Sequence, residues 1–376
     1  MTLEVGVLGY RFMGNAHANA MARLPMFFPD APAIERSVLV GRDETALSEA
    51  ADRFGFSSTA TDWADVVDEV DVFYNLGPNH VHAEPSIAAL EAGTPVFCEK
   101  PLAPTLERAE SMADAAREAG EDVPAGCAFN YRFVPAIQYA KELLEAGELG
   151  EIRHVRGRYL QDWLVDPDAP WSWRNDEELA GSGALGDLGS HTVDLLRFLV
   201  GSDDLAGEIE RVSGQLQTFV DERPVPGEEE ETRPVTVDDA YTGQLEFASG
   251  ATGVLEGTRV AAGHKNDHTV EIHGSEGSLR FSLERLNELE ILRDDENRGY
   301  ETVLITDEDD PYVDHWWPPG HVLGWEHTFV HENYEFLRAV AEGNRFEPSF
   351  EDGLAAQRVL DAVERSDERG EWITLE

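Results

Sequence analysis

Lysine is nearly missing from this 376-residue chain: only Lys100, Lys141 and Lys265 occur, and every other cation is arginine. Exposed positive charge is therefore carried by guanidinium groups, and a lysine that remains calls for its own explanation. Cysteine is as scarce. Cys98 and Cys127 are too few for a disulfide framework, which points to a reducing cytoplasm. No apolar run approaches the roughly 18–20 residues that span a bilayer, which excludes a membrane-spanning helix. The opening Met1-Thr2-Leu3-Glu4-Val5 lacks the basic stretch of a secretion signal, so a cytoplasmic location is expected. Basic charge itself is short: 29 Lys and Arg stand against 75 Asp and Glu, a formal net charge of -46. Such a chain repels nucleic acid and anionic membranes, and neither is expected as a partner.

What is present is the apolar content of a folded protein. Hydrophobic residues make up 41% and aromatics 9%. Acidic disordered chains lack both the aromatics and the aliphatic periodicity seen here. The acidity instead predicts a halophile's protein, built for molar salt, where a Debye length of about 3 Å screens self-repulsion.

The length allows two domains. Apolar runs at 3–8, 34–40, 72–75, 95–98 and 124–129 read as buried strands. Helical patterns at 14–22, 45–54, 81–92 and 105–119 alternate with them, and Asp62 and Thr105 are candidate caps. This rhythm implies a doubly wound parallel sheet. From about residue 151 strands follow one another at 151–161, 210–219, 240–247, 251–258, 269–274, 278–282, 288–292 and 301–305, with helices near 189–200, 326–342 and 350–366. The fold expected is α/β. An N-terminal Rossmann-like parallel sheet fills 1–130. A C-terminal α+β domain on an open, mostly antiparallel sheet fills 131–376 and binds substrate. That sheet's uncovered face, expected to expose apolar area, is the expected oligomer surface. The acidic, proline-bearing stretch 221–234 reads as a solvated loop.

The first strand runs into Gly9-Tyr10-Arg11-Phe12-Met13-Gly14. In a G-x-G-x-x-G turn, backbone amides and a helix N-terminus hold a pyrophosphate. Arg11 replaces the middle glycine, and its side chain offers a phosphate partner in its place. The second strand ends at Gly41-Arg42-Asp43. A small residue beside an arginine suits a 2′-phosphate, a slight lean toward NADP, although Asp43 is within reach of a ribose. Lys100 follows the strand at 95–98, on the sheet edge where ligands bind. An ammonium there can stabilise alkoxide character as hydride leaves a carbon. Asp187, His191 and Asp194 fall at i, i+4 and i+7, one face of a helix starting near Asp187. His191 suits general-base work on a hydroxyl proton, and Asp194 supports from behind.

Several motifs occur in order: Phe12-Met13-Gly14-x-Ala16-His17, Gly77-Pro78-Asn79-His80-x-His82, Glu99-Lys100-Pro101, Phe129-Asn130-Tyr131-Arg132-Phe133, Trp173-Arg174, Gly186-Asp187-Leu188-Gly189-Ser190-His191-x-x-Asp194 and Phe350-Glu351-Asp352-Gly353. In that order and spacing the chain resembles the glucose-fructose oxidoreductase, inositol dehydrogenase and rhizopine-catabolism (Gfo/Idh/MocA) family over its whole length. Arg11 is the departure. The resemblance implies a catalytic group of Lys100, Asp187 and His191. It implies reversible hydride transfer between nicotinamide and a secondary alcohol of a sugar, anhydrosugar or inositol. Gly9, Arg11, Phe12, Met13, Gly14, Gly41, Arg42, Pro78, Asn79, His82, Glu99 and Lys100 are the expected cofactor contacts. Tyr131, Arg132, Trp173, Arg174, Asp187 and His191 are those expected for substrate, with Trp171 beside them and His321 or Trp325 closing the pocket. Relatives of this fold that cleave glycosidic bonds through NAD, and catalytically silent dinucleotide-binding regulators, are the alternatives. His315, His321, His327 and His331 invite a metal, but His327-Thr328-Phe329-Val330-His331 lacks the glutamate of H-E-x-x-H, and no metal is expected.

Overall fold

The structure is a computed structural model that describes residues 2–228, 231–293 and 298–375. It divides into two compact units, residues 1–133 with 324–355, and residues 134–323 with 356–376. The expected consecutive blocks, 1–130 and 131–376, differ from this because the chain returns. His331 explains part of the return: its ring is buried and its Nδ1 lies 2.9 Å from the Phe133 carbonyl, which anchors the late helix to the first unit.

In the first unit, β1 (Thr2–Leu8), α1 (Phe12–Phe27), β2 (Ala33–Val40), α2 (Glu44–Phe54), β3 (Ser58–Ala60), β4 (Val72–Asn75), α3 (Ala83–Glu91), β5 (Val96–Cys98), α4 (Leu106–Ala119) and β6 (Ala125–Cys127) follow in order. Among the described residues they form a six-stranded parallel sheet, β3-β2-β1-β4-β5-β6. Strands β1, β4, β5 and β6 are near-continuous apolar runs because both faces of the sheet are covered. The strand order reverses beside β1, whose Leu8 pairs with Asn75 of β4. Loops leaving β1 and β4 therefore diverge at the carboxyl edge, where open α/β sheets bind ligands.

The second unit contains α5 (Pro135–Glu145), β7 (Ile152–Leu160), α6 (Glu177–Ala180), α7 (Ser190–Val200), β8 (Ile209–Gln217), β9 (Glu222–Pro224), β10 (Thr232–Pro234), β11 (Ala240–Phe247), β12 (Thr252–Thr258), β13 (Asp267–Gly274), β14 (Gly277–Ser282), β15 (Glu288–Arg293) and β16 (Glu301–Leu304). Then come α8 (Trp325–Glu342), in the first unit, α9 (Phe350–Arg369) and β17 (Ile373–Thr374). Nine strands join in the order β16-β15-β14-β13-β7-β12-β11-β8-β17 among the described residues. The pairing is antiparallel except for β7 against β12, so the sheet is mixed. The stretch 221–234 is more ordered than expected, since β9 and β10 pair as a ribbon; Glu229 and Glu230 lie outside the described residues.

The uncovered face of this sheet is not apolar. Arg211 pairs with Glu246 at 2.8 Å, Arg280 with Glu290 at 2.5 Å and Arg156 with Glu271 at 3.9 Å. The side chains alternate, so Val155, Leu245, Leu255 and Ile272 turn to the buried face and the ion-pairing residues turn outward. An apolar patch is therefore not what this face offers a second subunit. Among the described residues, no helix is long and apolar enough to cross a membrane.

Candidate functional site

The turn after β1 is built for close approach. Gly9 has φ +109, and a Cβ on Gly14 would lie 2.2 Å from the Gly9 carbonyl oxygen. Helix α1 starts immediately after, and its first turn has no side-chain cap, which leaves its N-terminal dipole to an outside anion. Arg11 sits at φ -83, outside the left-handed region that calls for glycine, so no positive φ demands the absent middle glycine. Its guanidinium lies 5.9 Å from the Tyr10 ring centroid. Phe12 is 64% exposed and stacks on Trp325 at 5.6 Å. These residues fit a dinucleotide pyrophosphate: a Cβ-free cradle, an uncapped helix start and a cation.

The end of β2 decides what a ribose meets. A Cβ at Gly41 would lie 2.2 Å from the Tyr10 ring, so the tyrosine holds this position small. Asp43 is engaged as the N-cap of α2, where its Oδ1 accepts the Thr45 and Ala46 N–H groups at 3.1 Å each. Arg42 is exposed.

The loops after β4 and β5 are tied from beneath. Asn75 is fully buried and donates from Nδ2 to the carbonyls of Val81 and His82, at 3.0 and 2.9 Å. His82, expected at the cofactor, is 0% exposed. Its Nδ1 is 3.0 Å from the Pro101 oxygen and its Nε2 3.0 Å from the Gly77 oxygen. Burial lowers its pKa against the pull of those carbonyls. Its side chain has no exposed surface and clamps the two loops together. The Glu99 side chain also turns inward. It is 4% exposed, its Oε1 lies 3.2 Å from His17 Nε2, and its Oε2 accepts the Lys100 N–H at 3.1 Å. Lys100 follows, half-buried, before a cis bond to Pro101. Asn79 is buried beside Pro78 at the start of the loop. Tyr131 and Arg132, expected in the substrate cleft, are both 5% exposed, and Arg132 pairs with Asp352 at 2.9 Å within the same unit. That pairing gives Arg132 an internal, structural partner.

In the second unit, Asp187 lies in a π-helical turn, Leu185–Gly189, that runs into α7. Wide turns of this kind re-aim side chains and recur at functional sites. Exposure falls along the helix: Asp187 is half-exposed, His191 is 7% exposed and Asp194 is buried. Tyr159 packs beside His191 at 6.1 Å and stacks on His268 at 4.4 Å. The segment before the π turn is held by Asp238, whose carboxylate accepts the N–H groups of Gly183 at 2.6 Å and Leu185 at 2.9 Å. Arg174 lies 4.4 Å over the Trp173 ring, and Trp171 donates from Nε1 to the Pro234 carbonyl. Lys100 belongs to the first unit, and Asp187 and His191 to the second.

The histidines of α8 are spent on backbone groups. His327 Nδ1 lies 3.0 Å from the Gly324 nitrogen, and His331 reaches Phe133. No group of three or more potential ligands is arranged to hold a metal among the described residues. The sequence reading missed Asn75, Asp238, Glu332 and Asn333. On α8, Asn333 falls four residues after Phe329 and four before Leu337, a polar residue on an apolar stripe; that is the signal that marks it as buried.

A parallel sheet that switches direction beside β1, with a close glycine turn leading into α1, defines the class as a Rossmann-type nucleotide-binding protein. Residues 3–126 match the model of the oxidoreductase family with an NAD-binding Rossmann fold, and residues 137–280 match the GFO/IDH/MocA C-terminal domain. A levoglucosan dehydrogenase of Pseudarthrobacter phenanthrenivorans is 41% identical over 99% of this chain and 98% of its own. A solved structure of levoglucosan dehydrogenase with NADH and levoglucosan superposes with a TM-score of 0.94 and 41% identity, covering 100% of both chains. An oxidoreductase domain protein from Kribbella flavida gives 0.95 and 47%, again over 100% of both. The chain belongs to the Gfo/Idh/MocA family and is an NAD(P)-dependent oxidoreductase.

Proposed function

We propose that the protein transfers hydride reversibly between a secondary alcohol of a sugar or anhydrosugar and NAD(P), with levoglucosan the first substrate to try. The carrying observation is the full-length likeness to levoglucosan dehydrogenase, in a chain that holds Lys100, Asp187 and His191. Gly9, Arg11, Phe12, Met13, Gly14, Gly41, Arg42, Pro78 and Asn79 hold the dinucleotide. When bound, it supplies the hydride acceptor at C4 of its nicotinamide. Lys100 donates from Nζ to the reacting oxygen and stabilises alkoxide character there. His191 takes the hydroxyl proton, and Asp187 binds a substrate hydroxyl. Trp173 and Arg174 present a stacked, hydrogen-bonding surface suited to a sugar ring. A sugar and polyol panel in molar KCl, read by NAD(P)H absorbance, tests this. Cofactor binding without reduction by any secondary alcohol overturns it.

The same proposal gives NADP the preference. Asp43 is occupied as a helix cap, Gly41 is held small by Tyr10, and Arg42 is exposed beside them. Arg42→Ala is expected to lower kcat/KM for NADP about tenfold, the size of one charge-assisted phosphate contact, and to leave NAD nearly unchanged. Kinetics with both cofactors decide it, and a parent enzyme strongly favouring NAD removes the preference. We place the protein in a salt-rich cytoplasm, as a homodimer or homotetramer joined through the outward sheet face by ion pairs and hydrogen bonds.

A further inference from the structure

We infer that Glu99 is a positioning residue for Lys100, and that His17, Asn333 and Glu332 form the buried assembly that holds it. The inference rests on the proposed reading of Lys100 as the catalytic lysine. All the groups lie in the first unit: His17 on α1, Tyr74 on β4, Glu99 after β5, and Glu332 and Asn333 on α8. None is more than 4% exposed.

The direction of the hydrogen bonds follows from one carbonyl. Asn333 Nδ2 lies 2.7 Å from the Phe329 oxygen, which only accepts, so the amide nitrogen is at that end. The same Nδ2 is 2.9 Å from His17 Nδ1. Nδ1 then accepts, and the imidazole proton sits on Nε2, facing Glu99 Oε1 at 3.2 Å. The other Glu99 oxygen accepts the Lys100 N–H. A chain of donors thus runs from Asn333 through His17 to Glu99, which grips the backbone of Lys100 from the interior.

Glu332 completes the assembly. Its Oε1 is 3.9 Å from His17 Nε2, and neither oxygen has a hydrogen-bond partner among the described residues. The titratable groups facing it are His17, Glu99 and Tyr74; the rings of Phe97 and Phe329 surround His17. Burial first, then the nearby Glu99, pushes the Glu332 carboxyl well above the usual range. As a neutral acid, Glu332 leaves the His17 N–H to Glu99. The folded chain then holds a proton that the unfolded chain releases near the ordinary glutamate value of about 4.3. Stability contributed by that proton is present below that value and is lost as pH rises toward the folded one.

The test compares Lys100→Met, Glu99→Gln, His17→Ala, His17→Gln and Glu332→Gln by kcat, KM, NADPH affinity from fluorescence, and Tm against pH. Glu99→Gln sets an amide donor against one of two N–H donors. It is expected to lose at least about tenfold in kcat, with KM and cofactor affinity within about twofold. His17→Ala is expected to follow it, and His17→Gln to recover most of the loss, because its amide N–H can replace Nε2–H. Glu332→Gln cannot ionise, so its Tm is expected to gain on the parent as pH rises from 5 to 8, roughly the span above the free glutamate value. If Lys100→Met is inactive while Glu99→Gln keeps normal kcat, the inference fails and the catalytic reading stands. Lost cofactor affinity with unchanged kcat in Glu99→Gln returns Glu99 to the cofactor and also overturns it. If Glu99→Gln does not fold, equal losses in His17→Ala and His17→Gln overturn it instead. A Tm gap for Glu332→Gln that ignores pH removes Glu332 from the assembly. Normal turnover in Lys100→Met sinks the parent reading.

Discussion

Lys100→Met is expected to fold, to bind the dinucleotide and to lose on the order of 10²–10³ in kcat, the cost of removing one preorganised donor from a developing oxyanion. Methionine keeps most of the length and apolar stem of lysine and deletes only the ammonium, so packing around the half-buried side chain is little disturbed. The backbone N–H of residue 100 still reaches Glu99, and His82 still holds Pro101. What disappears is the charge at the carboxyl edge of β5. His191→Ala removes the group assigned to the hydroxyl proton, and a loss of about 10²–10⁴ is expected. Steady-state kinetics, fluorescence titration with NADPH and Tm separate chemistry from binding and folding. Near-normal kcat in either variant refutes that residue's role.

Lys100 stands out in the sequence because the chain is so poor in lysine and because the strand before it is an apolar run. The parallel sheet was legible for a related reason: strands buried on both faces show unbroken apolar runs, and the helices between them carry local caps such as Thr105. Non-local facts were not legible. The parallel pairing of β7 with β12 joins residues about 100 apart, and no local period encodes it. Helix α5 has a weak local signal, since it follows the motif at 129–133 with only Pro135 at its start. Glu99 and His82 flank the ligand-binding edge in sequence, which alone does not say where their side chains go. Their side chains turn inward, and only the tertiary partners, His17 and two carbonyls, reveal it. Glu332 carried no sequence signal of its own, since acidic residues are abundant throughout the chain.

That abundance leads to the second large effect, a dependence on salt. With 75 acidic and 29 basic residues, 46 carboxylates have no cation to match one-to-one. Many arginines are already in ion pairs, such as Arg197 with Glu208 at 2.7 Å and Arg293 with Glu148 at 2.7 Å, so little positive charge is left to offset the remainder. At 0.1 M salt the Debye length is about 10 Å, and neighbouring carboxylates repel one another across the surface; at 1 M it is about 3 Å, and that repulsion is largely screened. Self-repulsion of this kind destabilises the compact state. Tm is therefore expected to fall by more than about 10 °C from 2 M to 0.1 M KCl, several kcal/mol for a chain of this size, and activity to fall with it. Isotonic sucrose distinguishes the cause. It favours burial by exclusion from the protein surface but screens no charge, so it should not restore the low-salt protein as KCl does. A Tm that is the same at both salt concentrations would mean that the acidic surface is tolerated by the fold without screening, and the salt-adapted reading would fall with it.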